Sequence, residues 1–368
     1  MTRIAVALLV VASIAMATHA AQSPAALPAS LEDHQFWQLV VDLSEPDGFF
    51  EDENYVSNEL GYQRVMGRLQ ERVEPGGVFV GVGPEQNFSY VAALRPAMAF
   101  VIDIRRQNLV QFLMYKALFE LSRERADFVS RLFSRPRPPG LDGASGVDAL
   151  FEAYAPVSAD GRLFDDTRTR VLEVLIDRHG FDLDAADRAS LTRILRAFRE
   201  GGPELMYVFR GTPERHPTYA EMMTATDADG RHWSYLATEE SFHRVRDMHE
   251  QNRIVPVVGD FAGPKALRAV GAYVRARGAT IDVFYASNVE TYLFANGTWK
   301  AFYDNLSTLP LDEDGLFVRT FFGAILRECA ALRPTIRTPV LGAMAALMTT
   351  YRAGELTSQC DLVGLSRK

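Results

Sequence analysis

Short apolar runs of strand length alternate along this chain with longer stretches in which apolar residues recur every three or four positions. Residues 78–80, 99–104, 254–258, 281–285 and 316–321 are rich in Val, Ile, Phe and Tyr, the composition of buried strands. Residues 88–94, 264–277 and 291–303 carry helical spacing between them, and a long helix is predicted over 108–133. A further helix is predicted over 54–73, with Val56, Leu60, Val65 and Leu69 on one face and Pro75-Gly76-Gly77 closing it. Strands separated by helices at this spacing specify right-handed parallel crossovers. The expected fold is therefore α/β, a doubly wound, mostly parallel Rossmann-like sheet in which the strands at 78–80, 99–103, 254–258 and 281–285 are neighbours.

The alternation lapses at Arg135-Pro-Arg-Pro-Pro-Gly140 and resumes only at Ile254. Residues 140–250 read as mainly helical, with polar breaks at Ala159-Asp-Gly161 and Asp227-Ala-Asp-Gly230. That is too long for a connection, so a large helical insertion over one sheet edge is expected within a single domain spanning 49–368. No internal repeat is visible.

The N-terminus changes the picture of where the chain works. Thr2-Arg3 precedes an apolar stretch at 4–17, followed by small residues suited to cleavage after Ala17 or Ala20. This is the pattern of a secretory signal peptide over 1–20, so the chain is expected to be exported to the periplasm or beyond. The stretch is shorter than the roughly 20 residues of a membrane span, and no stable span is expected once it is removed. Residues 21–48 read as a linker, rich in Ala, Pro and Ser at its start. The formal net charge of −8 argues against a nucleic-acid partner, and the basic run from Arg131 to Arg137 reads as a solvated patch. Cys329 and Cys360 are the two cysteines; in an exported protein they either pair or stand as separate thiols, and two cannot build a thiolate-only zinc site. His232, His243 and His249 do not have the spacing of a metal site, and neither a P-loop nor a G-x-S-x-G elbow is present.

Candidate chemistry starts at the first strand–helix turn, Gly81-Val-Gly83-Pro84-Glu85-Gln86-Asn87. In doubly wound sheets the ligand lies beside this turn, at the C-terminal ends of the strands. A dinucleotide site requires G-x-G-x-x-G, but Gln86 stands at the third glycine, Glu85 brings a carboxylate to the phosphate position and Pro84 removes an N–H donor. A cationic ligand without phosphate reverses that sign. S-adenosylmethionine (SAM), with its ammonium and sulfonium, is such a ligand. Gly81 and Gly83 would let backbone approach it, Glu85 would attract it, and Asp103 at the second strand's end would accept from ribose hydroxyls. Asp260, ending the third strand, would accept from the adenine amino group with Phe261 beside the ring.

The segments "GVGPEQNFSY", "VIDIRRQN", "VVGDFAG" and "FYASNVETYL", with "NYVSNE" and "YLATEESF", give the chain a resemblance to a bacterial family of uncharacterised activity. Its fold is similar to that of class I SAM-dependent methyltransferases, and the likeness runs from about Phe49 onward. The resemblance implies a class I methyltransferase-like sheet. It names no reaction.

In such folds the end of the fourth strand faces both the transferable methyl and its acceptor, which directs attention to Tyr285-Ala-Ser287-Asn288-Val-Glu290. Asn288 would hold an acceptor amine or hydroxyl, Glu290 would take its proton and Tyr285 would flank it. Equally, Asn288 and Glu290 are a cap and first-turn acid of the next helix, and Ser287 reads foremost as a cap. Arg105 and Arg106 would recognise an acidic acceptor, or pair with helix acids. Asn58 and Glu59, on the helix ahead of the first strand, would close over the ligand, or form an ordinary polar surface. Two functions remain: a SAM-dependent methyltransferase acting on a small or acidic acceptor, and an exported ligand-binding protein without catalysis on the same scaffold. SAM is made and used in the cytoplasm, which sets export against the first.

Overall fold

The structure, a computed structural model, describes residues 26–366 except 52–53, 209–214, 324, 326–327, 334 and 336. The expected signal peptide lies outside the described residues. Among the described residues no helix is long and apolar enough to cross a membrane.

Strands β1 (Val78–Gly81), β2 (Met98–Asp103), β3 (Ile254–Val258), β4 (Ile281–Ser287), β5 (Leu311–Thr320) and β6 (Pro339–Ala343) form one sheet in the order β3-β2-β1-β4-β5-β6. All pairs are parallel except β5 with β6. The four strands expected to be neighbours are neighbours, because each is apolar on both faces and must be covered on both. Strand β1 runs beside β2 and β4, so the crossovers leave it in opposite directions. That divergence opens a crevice at the C-terminal ends of β1, β2 and β4.

Several boundaries differ from the sequence expectation for identifiable reasons. Helix α1 (Asp33–Leu43) occupies part of the expected linker. Phe36, Val40 and Leu43 fall on one face and are buried, and the helix packs on β3 and on α11 (Ala266–Arg275). Ser44, at its end, accepts from the Val258 N–H through Oγ (3.1 Å). The helix expected over 54–73 begins only at Leu60, as a single 3₁₀ turn leading into α2 (Gln63–Arg72). Asn58 and Glu59 thus lie in the non-helical segment before it.

The helix expected over 108–133 is two helices, α4 (Arg106–Leu121) and α5 (Arg125–Phe133). Arg125 fixes the turn between them by donating to Glu239 and to the carbonyls of Leu236, Ala237 and Ser145. The one expected over 291–303 divides into α12 (Val289–Ala295) and α13 (Trp299–Leu306), because Gly297 adopts φ +72° between them. The insertion is helical as expected: α6 (Val147–Tyr154), α7 (Gly161–Leu172), α8 (Ala185–Gly201), α9 (Tyr219–Thr224) and α10 (Glu239–Glu250). It does not sit on a sheet edge. Helix α8 packs on α4 and α5, while α10 packs on α4 and on α3 (Gln86–Leu94), so the insertion covers helices that flank the sheet.

Cys329 and Cys360 form a disulfide (Cα–Cα 5.3 Å). It ties the segment after β5 to the last described helix, Gln359–Leu365.

Candidate functional site

A cavity of about 290 Å³ lies at the C-terminal ends of β1, β2, β3 and β4. Of the residues expected to bind a ligand, Gly83, Asp103, Asp260, Phe261, Arg105, Asn58, Tyr285 and Asn288 all line it. Gly81, Glu85, Glu59, Arg106 and Glu290 do not, and each has another occupation.

The glycine turn is shaped by Asn87. Its Nδ2 donates to the carbonyls of Val82 (2.9 Å), Gly83 (3.1 Å) and Pro84 (2.7 Å). A Cβ at Gly81 would overlap Asn87 Oδ1, so Gly81 makes room for that carboxamide rather than for a ligand. Gly83 sits at φ +74° and is glycine for its backbone conformation. Glu85, expected to face the ligand, turns inward and is fully buried. Its Oε1 accepts from the Ser57 N–H (3.2 Å), and among the described residues no donor reaches its Oε2.

At the β2 end, Asp103 is held bidentately by Arg105, with Nε–Oδ1 2.9 Å and Nη2–Oδ2 3.0 Å. Arg105 also lies over the Phe50 ring, which meets Tyr292 edge-on at the cavity wall. A ribose on Asp103 would share the carboxylate with this guanidinium. Arg106 points elsewhere, forming a two-pronged pair with the buried Asp187 (2.7 and 2.6 Å); its expected role toward an acidic acceptor is replaced by anchoring α4 to α8. Asp260 Oδ1 accepts from the Ala262 N–H (2.9 Å), which fixes the loop after β3. Phe261 stacks on Phe302 at 5.6 Å and is itself among the residues that line the cavity.

At the β4 end the expectations reverse. Ser287 does not cap α12 and Asn288 makes no side-chain cap bond. Ser287 adopts φ +52°, an uncommon conformation for a non-glycine residue, and its Oγ donates to Glu59. Glu290 is turned away from the cavity and buried in a pair with Arg319 on β5 (2.8 Å), with Tyr303 also donating to it. It is neither the expected acceptor base nor a solvated first-turn acid. The fold required a partner for Arg319, itself 1% exposed, and Glu290 supplies it.

Glu59, expected to close over the ligand, lies beneath the cavity floor, fully buried. Besides Ser287 it accepts from Thr320 Oγ1 (2.7 Å) and, more distantly, from Gln86 Nε2 (3.4 Å). Gln86 also donates to the Tyr285 hydroxyl (3.0 Å) and accepts from Ser57 Oγ (2.5 Å). The missed residues of this network are Ser57, Gln86 and Thr320, and Asn54 is a missed wall residue. Asn54 and Ser57 sit in the quoted "NYVSNE" block, whose density of small polar residues ahead of an apolar helix was the available signal.

Burial pushes both carboxylates up: Glu59 rises above its ordinary value, and Glu85 rises from 4.5 to about 7. Desolvation is the main cause for each. The folded state thus holds a proton on Glu85 more tightly than the unfolded chain does. This contribution to stability is complete below about pH 4.5 and is lost as pH rises through about 7, amounting to about 3 kcal/mol. Glu85→Gln should remove that loss, so urea midpoints of wild type and variant should diverge as pH rises from about 4.5 to about 7, the variant gaining relative to wild type over that window. Parallel pH profiles would refute it.

A wider cleft of about 560 Å³ adjoins the cavity, with Asn58 lining both. Arg64, Arg215, His216 and Arg337 lie along it, Arg215 paired with Glu221.

Comparison with known families gives one finding. A family model described as a domain of unknown function, DUF7790, matches residues 55–137 and 149–331. No curated protein matches the chain.

Proposed function

Because the chain belongs to the DUF7790 family, whose name assigns no activity, we propose a function from the site alone: it binds an adenosyl ligand of the SAM type on a Rossmann-like, class I methyltransferase-like scaffold. The observation that carries this is the meeting of Gly83, Asp103, Asp260 and Phe261 in one cavity at the diverging strand ends. The strand order is that of doubly wound nucleotide-binding sheets, and their ligands sit at this position. Gln86 in place of the third glycine and Pro84 without an N–H favour a phosphate-free ligand, and Phe261 with the Phe50–Tyr292 rim offers faces for a heterocycle.

Of the two functions that share this cavity, ligand binding without methyl transfer is the better supported. Glu290, the acid that would have taken the acceptor's proton, belongs to a buried ion pair. The signal-peptide pattern also favours a role outside the cytoplasm, where a bound ligand need not turn over. N-terminal sequencing of the native protein, expected to begin after Ala17 or Ala20, tests export.

Titration calorimetry tests the ligand. Wild type should bind SAM or its demethylated product, and Asp103→Ala should weaken binding by about 1–3 kcal/mol through lost hydroxyl hydrogen bonds. Absence of binding of either compound would remove the proposal. Mass spectrometry of what copurifies with the protein would then identify the ligand class directly.

A further inference from the structure

Two acids that the structure brings to the end of β4, Glu290 and Glu59, have opposite surroundings. Residues 319 and 320 of β5 are consecutive, so their side chains leave opposite faces of the sheet. Arg319 meets Glu290 on one face, whereas Thr320 donates to Glu59 on the other. Glu290 therefore has a guanidinium. Among the described residues Glu59 is met by the neutral groups Ser287, Thr320, Gln86 and Tyr285, and no described lysine, arginine or histidine pairs with it.

A fully buried carboxylate without a cation is costly unless something else requires it. Its surroundings connect it to the cavity. Ser287 lines the cavity and donates its hydroxyl proton to Glu59, leaving the Oγ lone pairs for whatever occupies the space in front. Tyr285 and Ser57, also in the wall, reach Glu59 through Gln86. The other charged groups nearby do not compensate it. Glu85 adds a second acid behind Ser57, Tyr62 and Tyr90 are neutral rings behind the network, and Arg105 stands on the β2 side, engaged with Asp103. Ser287 is also held in a left-handed conformation at this point, the kind of local strain that a fold retains where geometry matters. A separate observation points the same way: wall residue Asn54 is 5% exposed, and its buried Oδ1 meets no donor among the described residues.

We infer that Ser287 and Glu59 form the recognition site for a positively charged centre of the cavity's ligand, with the Glu59 carboxylate as its countercharge and the Asn54 carboxamide as a further acceptor. This rests on the adenosyl assignment above and extends it. Strands β2 and β4 are two sheet spacings apart, about 10 Å. A ligand with its hydroxyls on Asp103 therefore extends its remaining part across β1 toward Ser287. In SAM that part carries the sulfonium beside the amino-acid ammonium and carboxylate; in the demethylated thioether the sulfur alone is neutral, so comparing the two compounds isolates the sulfonium as the charged centre in question.

The test is calorimetric titration of both compounds into the full chain and two variants. Wild type is expected to bind SAM at least about tenfold more tightly than the thioether. Glu59→Gln should bring that ratio close to one, by weakening SAM while leaving thioether affinity within about threefold. Ser287→Ala keeps the buried acid but removes the hydroxyl between it and the ligand, and should reduce the ratio in the same direction. Wild type that binds both compounds equally overturns the inference while leaving the adenosyl assignment standing, and so does an unchanged ratio in Ser287→Ala. Wild type that binds neither overturns the assignment and the inference with it. Because the wild-type ratio decides first, failure of Glu59→Gln to fold does not protect the inference.

Discussion

Replacing Arg319 by methionine is expected to destabilise the protein by about 3–5 kcal/mol, the cost of leaving a buried acid without its partner. Arg319 is 1% exposed and donates to Glu290 at 2.8 Å and to Ser366 Oγ at 3.1 Å, while lying over the Phe317 ring at 4.5 Å. Its removal leaves the Glu290 carboxylate with the Tyr303 hydroxyl as its remaining donor among the described residues. Chemical denaturation should show a fall in midpoint at unchanged slope. Removing both charges with Arg319→Met and Glu290→Met together should recover a substantial part of the loss, since the desolvation cost disappears with the pair. Equal loss in the single and double variants would show that packing, rather than the charge pair, is what Arg319 contributes. Glu290→Gln should act on the same midpoint and leave ligand affinity close to wild type.

Loss of the Cys329–Cys360 bridge is expected to cost about 3–4 kcal/mol. The two cysteines are 31 residues apart in sequence, and chain-entropy cost in the unfolded state grows slowly with the loop closed. A Cys329→Ala, Cys360→Ser double variant should therefore lower the melting temperature under non-reducing conditions, and a reductant should have no further effect on it. Wild type that melts identically with and without reductant would refute the contribution. The effect should not add simply to that of Arg319→Met. Cys360 lies in the last described helix, and Ser366 directly after that helix accepts from Arg319. Reducing the bridge loosens one support of the buried pair.

These two features differ in how far they were visible beforehand. Two cysteines in a chain with a signal-peptide pattern made the bridge one of two outcomes, and the fold decided by bringing the Cα atoms to 5.3 Å. The Glu290–Arg319 pair had no sequence signal, because 29 residues separate its members and only the pairing of β4 with β5 brings them together.

The same division runs through the site. The apolar runs at β1, β2, β3 and β4 determined a parallel sheet, because a strand without a polar face must be covered on both sides. Sheet order then put the ends of those strands together, so Gly83, Asp103, Asp260 and Phe261 meet at one cavity as their strand-end positions required. Residues inferred from position along a strand were thus legible. What each charged residue inferred from chemical type would face was not. Glu85 and Glu290 have the composition of site acids and turn into the core, whereas Arg105 and Arg106 are engaged by Asp103 and Asp187. Whether a carboxylate faces a ligand or a guanidinium depends on what packs behind it, and that is set by contacts between residues distant in the chain. Glu59 shows this most plainly: its partners Ser287 and Thr320 lie 228 and 261 residues away. Local pattern determined the four central strands and that they lie side by side, while their order, the antiparallel sixth strand and the charges in and around the cavity were decided only by the tertiary structure.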